Sequence, residues 1–398
     1  MRIAVYAICR DEALFAERFA KAAADADYIV VADTGSKDGT QAILRAHGVT
    51  VHEISISPWR FDDARNAALA LVPGDADVCL SLDLDEVVNP GWRTAIESGW
   101  TGEANRGRYR YVFSHDDEGR DGVAFMNNRI HARHGFRWRH ACHEGIYPDR
   151  TAEHYVVLND LRVDHWPDKT KSRDGYLPLL EHAYAEEPHE PRMAHYYARE
   201  LVYRERWQEA LDVFGRYMAM SDPAYVTERG KSLIYMAQCL ERLDRLDEAR
   251  RQFRLAVAEA PQMRETWVGL SERAYKDKDW PASFAAARAA LALNDPFSGQ
   301  ITDPKAWDHT AEDLAAIAAW NLGFHEDSLA HAERALAITP GDERLKRNVE
   351  SIRKGMAKPA DVEFIRKDMA KPALQISAYK LSPKLNSPTK SLSGKPKV

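Results

Sequence analysis

Hydrophobic and polar residues in the first 90 positions alternate between the patterns of buried strands and of amphipathic helices. Short apolar runs are typical of strands covered on both faces, and segments with helical spacing separate them. The pattern predicts strands at residues 3–9, 28–32, 49–56 and 78–82, and helices at 11–24, 41–47 and 62–70. We expect Asp11 to cap the first helix. This βαβα order indicates a mostly parallel sheet with helices on both faces.

Between residue 108 and about residue 163 the chain changes to aromatic, His-rich and Arg-rich segments with strand character. Strands are predicted at 108–113 and 161–165. We interpret this region as the completion of the sheet around a site.

From about residue 172 the pattern is helical and repetitive. Small and aromatic residues recur where the two helices of a helix-turn-helix repeat would approach each other, and Pro closes most of the pairs. Four imperfect copies contain Ala198, Ala210 and Phe214; Ala237, Ala249, Phe253, Ala256 and Pro261; Trp267, Leu270, Ser271, Ser283 and Ala290; and Ala316, Ala319, Ser328, Ala332, Ala335 and Pro340. They resemble tetratricopeptide repeats, with an insertion at 294–310 and a charged capping helix at 342–354. Unrelated helical hairpins are the alternative.

The chain has 398 residues, a formal net charge of −6 and four scattered cysteines. The charge gives no global basic field, so nucleic-acid binding over the whole surface is not indicated. Cysteines without a Cys-x-x-Cys pair favour a reducing compartment. The apolar start is too short for a signal peptide, and no run approaches a membrane span. We therefore expect a cytoplasmic protein.

The most informative stretch of the chain is its acidic run at residues 77–86. An apolar strand ends there in Asp83 and Asp85, and residues two apart on a strand point to the same face. Ligands of open α/β sheets bind in the crevice outside the carboxyl ends of the strands. Two carboxylates at that place suit Mg²⁺ or Mn²⁺ shared with nucleotide phosphates. An ordinary acidic loop would explain a lone Asp-x-Asp equally well.

Four motifs in order along the chain resemble those of family 2 glycosyltransferases, an inverting class with the GT-A fold. They read Ala7-Ile-Cys-Arg-Asp-Glu12, Asp33-Thr-Gly-Ser-Lys-Asp-Gly-Thr40, Phe61-Asp-Asp-Ala-Arg-Asn66 and Leu82-Asp-Leu-Asp-Glu86. The second motif is the most specific. The resemblance covers residues 1–175. Coupling of this domain to helical repeats resembles bacterial and phage members, including relatives that glycosylate peptides on cysteine.

The resemblance implies a set of residues that bind a nucleotide-diphospho-sugar donor. Asp33 matches the aspartate that contacts the base, usually uracil, and Arg65 matches an arginine near the diphosphate. Asp83 is expected to contact the ribose or the donor sugar. The set is completed by Cys9, Ser36, Asp38, His143, Lys171 and Arg173. Structural roles are the alternatives: a surface salt bridge for Arg65, and support of their own turn for Ser36, Asp38 and Thr40.

By the same resemblance, Asp85 is the direct metal ligand and His165 completes the site, with Mn²⁺ or Mg²⁺ as cofactor. A neutral imidazole suits Mn²⁺ better than Mg²⁺. A packed structural histidine is the alternative for His165. Lys171 and Arg173 are expected to hold the diphosphate as a flexible lid, and a solvated loop is their alternative.

An inverting transfer needs one general base to deprotonate the acceptor. Glu144 resembles the family's His-Glu segment and is the candidate base, with His143 shaping or binding the donor. The run His-Asp-Asp-Glu at 115–118 is a second candidate, although it is more typical of a solvated acceptor-side loop. A zinc site is a weak alternative, because the order does not match His-Glu-x-x-His; its ligands would be His140, Cys142 and His143.

The sequence therefore predicts an α/β GT-A-like domain at 1–175, an all-α tetratricopeptide-like solenoid at 176–356 and a basic, disordered tail at 357–398. The predicted function is metal-dependent inverting transfer of a sugar, UDP-linked by preference, to a protein, peptide or glycan. We expect the first domain to hold the nucleotide site alone, and the repeats to govern acceptor choice or homodimerisation. The alternatives are an inactive repeat scaffold and a transferase for modified nucleic-acid bases. A Rossmann oxidoreductase is excluded, because no Gly-x-Gly-x-x-Gly follows the first strand.

Overall fold

The computed structural model describes residues 1–116, 118–168, 175–220, 226–294 and 303–357. The predicted lid residues Lys171 and Arg173, and the predicted tail from residue 358 onward, lie outside these ranges.

Strands and helices alternate at the start of the chain, as predicted, and strands dominate from residue 106. The elements are β1 (Ile3–Cys9), α1 (Ala13–Ala22), β2 (Tyr28–Asp33), α2 (Thr40–Ala46), β3 (Thr50–Glu53), α3 (Phe61–Leu71), β4 (Val78–Ser81), β5 (Glu86–Val88), α4 (Trp92–Gly99), β6 (Arg106–Val112), β7 (Ala124–Ala132), β8 (Phe136–Arg139), β9 (Gly145–Pro148) and β10 (Tyr155–His165). All seven elements predicted in the first 82 residues are present. The third strand differs most, since it ends at Glu53 and not at residue 56.

Eight of these strands form one mixed sheet in the order β3-β2-β1-β4-β7-β6-β10-β5, and β8 and β9 form a separate antiparallel hairpin. The strands β3, β2, β1 and β4 are parallel. The strand β7 is antiparallel to both of its neighbours, and β10 is parallel to β6. Because the direction reverses from β4 to β7 and again from β7 to β6, β6 and β10 point the same way as β1, β2 and β4. Their carboxyl ends meet at one edge of the sheet.

The apolar run of β1 is explained by burial on both faces of the sheet. Successive strand residues point to opposite sides. One side faces α1, in a cluster that includes Ile3, Val5, Ala7, Phe15 and Phe19. The other side faces α3, in a cluster that includes Ala4, Tyr6, Ala68 and Leu69. Each fully buried Phe or Leu side chain contributes roughly 1.5–3 kcal/mol to stability.

The start of α1 is held by the turn that follows β2, and the prediction that Asp11 caps this helix is wrong. Asp11 has a φ of 54°, and its carboxylate accepts from the N–H of Lys37. The turn folds back over the helix, and its side-chain oxygens lie closer to the exposed N–H groups. At 2.8 Å each, the N–H groups of Asp11, Glu12 and Ala13 donate to the side chains of Ser36, Thr40 and Asp38.

The C-terminal part of the described chain is helical. Its elements are α5 (Tyr176–Glu186), α6 (Pro191–Tyr203), α7 (Trp207–Ala219), α8 (Val226–Arg242), α9 (Leu246–Glu259), α10 (Arg264–Lys276), α11 (Trp280–Leu291), α12 (Pro304–Trp307), α13 (Thr310–Leu322), α14 (His325–Ile338) and α15 (Glu343–Ala357). Four pairs, α6–α7, α8–α9, α10–α11 and α13–α14, correspond to the four predicted repeats. The helix α15 closes the array with a buried side that contains Leu345, Val349 and Ile352.

The small residues of the repeats lie where paired helices touch. Ala198 and Ala210 are fully buried. Ser271 donates its hydroxyl to the carbonyl oxygen of Ser283 at 2.9 Å, and Ser328 donates to that of Ala316 at 2.8 Å. Larger side chains would separate these helices, so the recurring small residues set the spacing of the solenoid.

Candidate active site

The predicted site residues of the sheet follow the carboxyl ends of strands that share one direction. Cys9 ends β1, Asp33 ends β2 and His165 ends β10. Asp83 and Asp85 follow β4 directly. This edge is where ligands of open α/β sheets bind.

Asp33 is fully buried at the end of β2. One carboxylate oxygen, Oδ1, accepts from the N–H groups of Gly35 and Ser36 and from the Gln41 amide, all at 2.9 Å. The other, Oδ2, lies 3.2 Å from the thiol of Cys9. Burial alone would raise the pKa of Asp33, but the hydrogen bonds from Ser36, Gly35 and Gln41 outweigh it and lower the pKa. A thiol is a weak hydrogen-bond donor, so Oδ2 of Asp33 can still accept a hydrogen bond from a stronger donor.

Ser36 and Asp38 bond to the start of α1 in this structure. Their side chains therefore have the supporting role that was the alternative to donor binding. A contact between either residue and a donor stays a prediction.

Arg65 projects from α3 into the centre of the site. Its side chain is only 4% exposed, so the alternative of a surface salt bridge is wrong. Its Nε donates to Oε1 of Glu144 at 2.5 Å and its Nη2 to Oδ1 of Asp83 at 2.7 Å. The guanidinium also lies 4.9 Å from the ring centroid of Trp138. Burial lowers the pKa of Arg65, but Asp83 and Glu144 together raise it above its usual value.

Asp83 is bound by a second arginine that the sequence did not predict. Arg129, on β7, donates to Oδ2 of Asp83 at 3.0 Å and lies 3.3 Å from Oε1 of Glu86. Tyr111 donates to the same Glu86 oxygen at 2.7 Å. Burial would raise the pKa of Asp83, but Arg65 and Arg129 lower it. Burial and the nearby Asp83 raise the pKa of Glu86. Glu86 lies in the fourth motif, but no role is predicted for it from the sequence. Arg129 lies outside the four motifs, and no neighbouring residues mark it as part of a site.

The two aspartates of the Asp-x-Asp motif face different partners. The strand β4 ends at Ser81, and the N–H of Glu86 donates to the carbonyl oxygen of Asp83 at 3.0 Å. Residues 83–86 therefore form a turn, and the same-face geometry expected from strand spacing does not apply. Asp83 binds two arginines, whereas Asp85 lies beside His165.

Asp85 and His165 form a pair whose chemistry fits a divalent cation. Nε2 of His165 lies 3.2 Å from Oδ2 of Asp85. The other ring nitrogen, Nδ1, lies 3.0 Å from the carbonyl oxygen of Phe113 and would donate to it. That contact leaves Nε2 free to act as a ligand, an arrangement common around metal-binding histidines. Burial lowers the pKa of His165, but Asp85 and Phe113 raise it above its usual value. Oxygens of a bound diphosphate would complete the coordination.

Glu144 and His143 lie in the loop between β8 and β9 and face different parts of the molecule. The Glu144 side chain is 8% exposed and pairs with Arg65. The His143 ring stacks on Tyr196 of α6, with the ring centroids 3.7 Å apart. The loop therefore connects the sheet domain to the first repeat.

In the second base candidate, Asp116 and Glu118 are exposed, as predicted for a solvated loop, whereas His115 is not. His115 is 4% exposed, and its Nε2 lies 2.9 Å from Oδ1 of Asp164. Its ring stacks on Trp166 with centroids 3.8 Å apart. His115, Asp121 and Asp164 bring possible ligand atoms within 4.8 Å of one another. However, the guanidinium of Arg162 donates to both carboxylates. Its positive charge therefore occupies the place that a metal ion would take.

A zinc site at His140, Cys142 and His143 is not formed among the described residues, where those three do not gather their ligand atoms. His140 lies 2.6 Å from a carboxylate oxygen of Glu187. Cys142 is buried among residues of α5 and α6, and His143 faces α6.

The fold is a mixed α/β sheet domain, consistent with the GT-A fold, followed by helical repeats. Residues 7–97 match the family model described as glycosyl transferase family 2, so the chain contains a domain of that family. The match includes seven of the predicted residues, Cys9, Asp33, Ser36, Asp38, Arg65, Asp83 and Asp85. No curated protein sequence matches the chain.

Solved structures of tetratricopeptide proteins are similar to the helical part. YrrB, described as having an unusual peptide-binding site, is 13% identical, with a TM-score of 0.38, over 48% of this chain and 90% of its own. MamA is 13% identical, with a TM-score of 0.35, over 45% and 89%. TTC0263, a protein of Thermus thermophilus, is 19% identical, with a TM-score of 0.31, over 46% and 90%. Among the described helices, none combines the length and apolar character needed to cross a membrane.

Proposed function

We propose that this protein is an inverting glycosyltransferase that moves a sugar from a UDP-linked nucleotide-diphospho-sugar to a protein, peptide or glycan. One observation carries the proposal. Asp33, the Arg65–Glu144 pair and the Asp85–His165 pair all lie at the ligand-binding edge of a sheet whose first part matches family 2.

Glu144 serves as the general base in this proposal. Arg65 holds Oε1 of Glu144, and Oε2 has no hydrogen-bond partner among the described side chains, so Oε2 is the atom that accepts the proton. As the acceptor loses its proton to Glu144, its nucleophilic atom bonds to the anomeric carbon. The bond to the diphosphate breaks on the opposite face, so the configuration inverts and the nucleoside diphosphate leaves.

The remaining residues bind and orient the donor. Asp33 would accept from the imide N–H of uracil, and Asp83, fixed by two arginines, would accept from a ribose or sugar hydroxyl. Asp85 and His165 would hold Mn²⁺ or Mg²⁺, which supplies Lewis-acid stabilisation of the charge on the departing diphosphate.

The acceptor class is inferred from the helical repeats, because stacked repeats provide long surfaces for protein or peptide ligands. The same surface would serve homodimerisation. All four cysteines are unpaired, which supports a reducing compartment such as the cytoplasm.

The test combines a ligand panel with one variant. UDP-, GDP- and dTDP-sugars with Mn²⁺ are compared by thermal shift, since a true donor raises the unfolding midpoint by mass action. Asp85→Asn should then abolish turnover and metal-dependent UDP binding while the unfolding midpoint without ligand stays unchanged. Asp25→Asn, an exposed change in the turn before β2 at the opposite edge, is the control. Full activity in excess EDTA would contradict the metal assignment.

A further inference from the structure

The loop of residues 140–144 belongs to both parts of the molecule. Ala141 and Cys142 are buried in the core cluster of α5 and α6, whereas Glu144 pairs with Arg65 of the sheet domain. The backbone has positive φ at His140 (78°) and at His143 (51°). Residues other than glycine keep this conformation when neighbouring contacts support it. The contacts that support this backbone conformation therefore determine the position of Glu144.

One face of α6 supplies three contacts to His143. The ring of Tyr196 stacks on its imidazole at 17° and 3.7 Å between centroids. Nη2 of Arg199 lies 3.3 Å from its Nε2, and Nε of Arg192 donates to its carbonyl oxygen at 2.9 Å. Positions 192, 196 and 199 are four and three apart, so they share one side of the helix.

Aromatic rings on α6 orient the side chain of Arg199 toward the loop. No carboxylate of the described residues forms an ion pair with it. Its guanidinium lies 4.5 Å from the ring centroid of Tyr196 and 5.8 Å from that of Tyr203. A guanidinium can only donate, so Nε2 of His143 is the acceptor in this contact. Tyr196 and Arg199 thus fix both the plane and the rotation of the His143 ring.

We propose that Tyr196 and Arg199 are positioning residues for sugar transfer: by holding His143 they keep the adjacent Glu144 against Arg65, and the first repeat completes the active site. The inference rests on the proposed function, in which Glu144 is the base. It adds to the expectation that the first domain holds the nucleotide site alone, because residues 192–199 support the loop that carries the proposed base.

Kinetics of full-length variants test the proposal. Tyr196→Ala and Arg199→Met should lower kcat by roughly 10- to 100-fold, since a small misplacement of a reacting group has that effect. The donor KM should stay within about 2-fold, because the donor residues lie on the sheet edge. Tyr196→Phe and Arg199→Lys keep the ring and the charge and should remain closer to wild type. Arg250→Met, which breaks the pair between Arg250 of α9 and Asp277 at the end of α10, should leave kcat unchanged.

A double-mutant cycle separates positioning from general damage. In a Glu144→Gln background, Tyr196→Ala and Arg199→Met should cause no further loss, because they act through Glu144. Wild-type kcat in both single variants, or losses that add fully to that of Glu144→Gln, would overturn the proposal.

Hydrogen exchange measures the stability of the loop without requiring enzyme turnover. Amides of residues 141–145 should exchange faster in Tyr196→Ala and Arg199→Met, while those of β1 and β4 stay protected. If no nucleotide sugar supports turnover by the wild type, the proposed function fails, yet this measurement still reports on the loop. Unchanged exchange at residues 141–145 would refute the positioning role.

Discussion

The sheet domain gathers its buried charges at one edge, whereas the helical repeats combine separate buried ion pairs, such as Arg273 with Glu241 and Asp277, with small buried hydroxyl groups. At the sheet edge the buried groups are charged, with Arg65 and Arg129 held among Asp83, Glu86 and Glu144. In the repeats, Ser271 and Ser328 satisfy backbone carbonyl groups of neighbouring helices. Burying a charge is costly even when it is paired, whereas a hydroxyl bonded to a carbonyl fits a tight contact at little cost. In the proposed function the charges of the sheet edge serve the chemistry, and the hydroxyls of the repeats set the geometry of the helix pairs.

The face of α6 that carries Tyr196 and Arg199 departs from the pattern of the repeats. It presents a guanidinium and aromatic rings to His143 of the sheet domain. In composition and contacts this face resembles the site more than the solenoid. If the proposed role of these two residues holds, the functional boundary lies inside the first repeat.

The largest effect is expected at the charged cluster. Glu144→Gln keeps the shape and the hydrogen bond to Arg65 but removes proton acceptance. Acceptor transfer should fall by roughly 10²–10⁴-fold, the usual contribution of a general base, while donor binding measured by calorimetry survives.

The control for that variant is another glutamate paired with a buried arginine. Glu153 bonds Arg106, whose side chain is 2% exposed, at 2.5 Å, near the start of β6 and away from the candidate site. Glu153→Gln should lower stability to a similar degree and leave the transfer rate unchanged. A near wild-type rate for Glu144→Gln would show that the base is another residue.

An intermediate effect is expected in the small-residue packing of the repeats. A Cβ added at Gly230 of α8 would lie 2.7 Å from Cβ of Ala260. Gly230→Ala should destabilise the protein by about 1–3 kcal/mol through overpacking, measured as a lower thermal midpoint. Gly215→Ala, at an exposed position of α7 with no atom within 4 Å, should raise stability by roughly 0.5–1 kcal/mol. Equal behaviour of the two variants would contradict a geometric role for the small residues.

Local contacts explain which features the sequence predicted. Asp33 bonds Gly35, Ser36 and Gln41, all within eight residues, so its motif carries most of its own structure. The repeats could also be predicted, because the two helices of each pair pack through residues that are close in sequence.

Contacts between distant residues explain what the sequence did not predict. Arg129 lies 46 residues from Asp83, and Arg199 lies 56 from His143. These pairs depend on the reversal at β7 and on the docking of α6. Arg65 and Glu144, 79 residues apart, were each named, but their contact with each other was not predicted.

The smallest effect tests a titratable group inside the first two repeats. Glu228 of α8 is partly buried and accepts from the hydroxyl of Tyr217 at 3.2 Å. Burial chiefly raises its pKa to about 7, against lowering effects of Arg192, Tyr217 and Arg199. The folded protein therefore keeps a proton that the unfolded chain has released above its ordinary value near 4.5. Stability is lost as the pH rises through this window, and the loss is complete above pH 7.

Glu228→Gln removes this titration, so the variant should gain stability relative to wild type between pH 5 and pH 8. The expected gain is on the order of 1 kcal/mol, because one pKa unit corresponds to about 1.4 kcal/mol and partial exposure reduces the effect. The measurement is the difference in thermal midpoint at the two pH values. Glu209→Gln is the control, since Arg206 lowers the pKa of that exposed glutamate below its ordinary value, so it does not titrate between pH 5 and pH 8 and its effect should be the same at both pH values. If the Glu228→Gln difference is the same at both pH values, Glu228 is ionised throughout, and its surroundings are as polar as those of an exposed carboxylate.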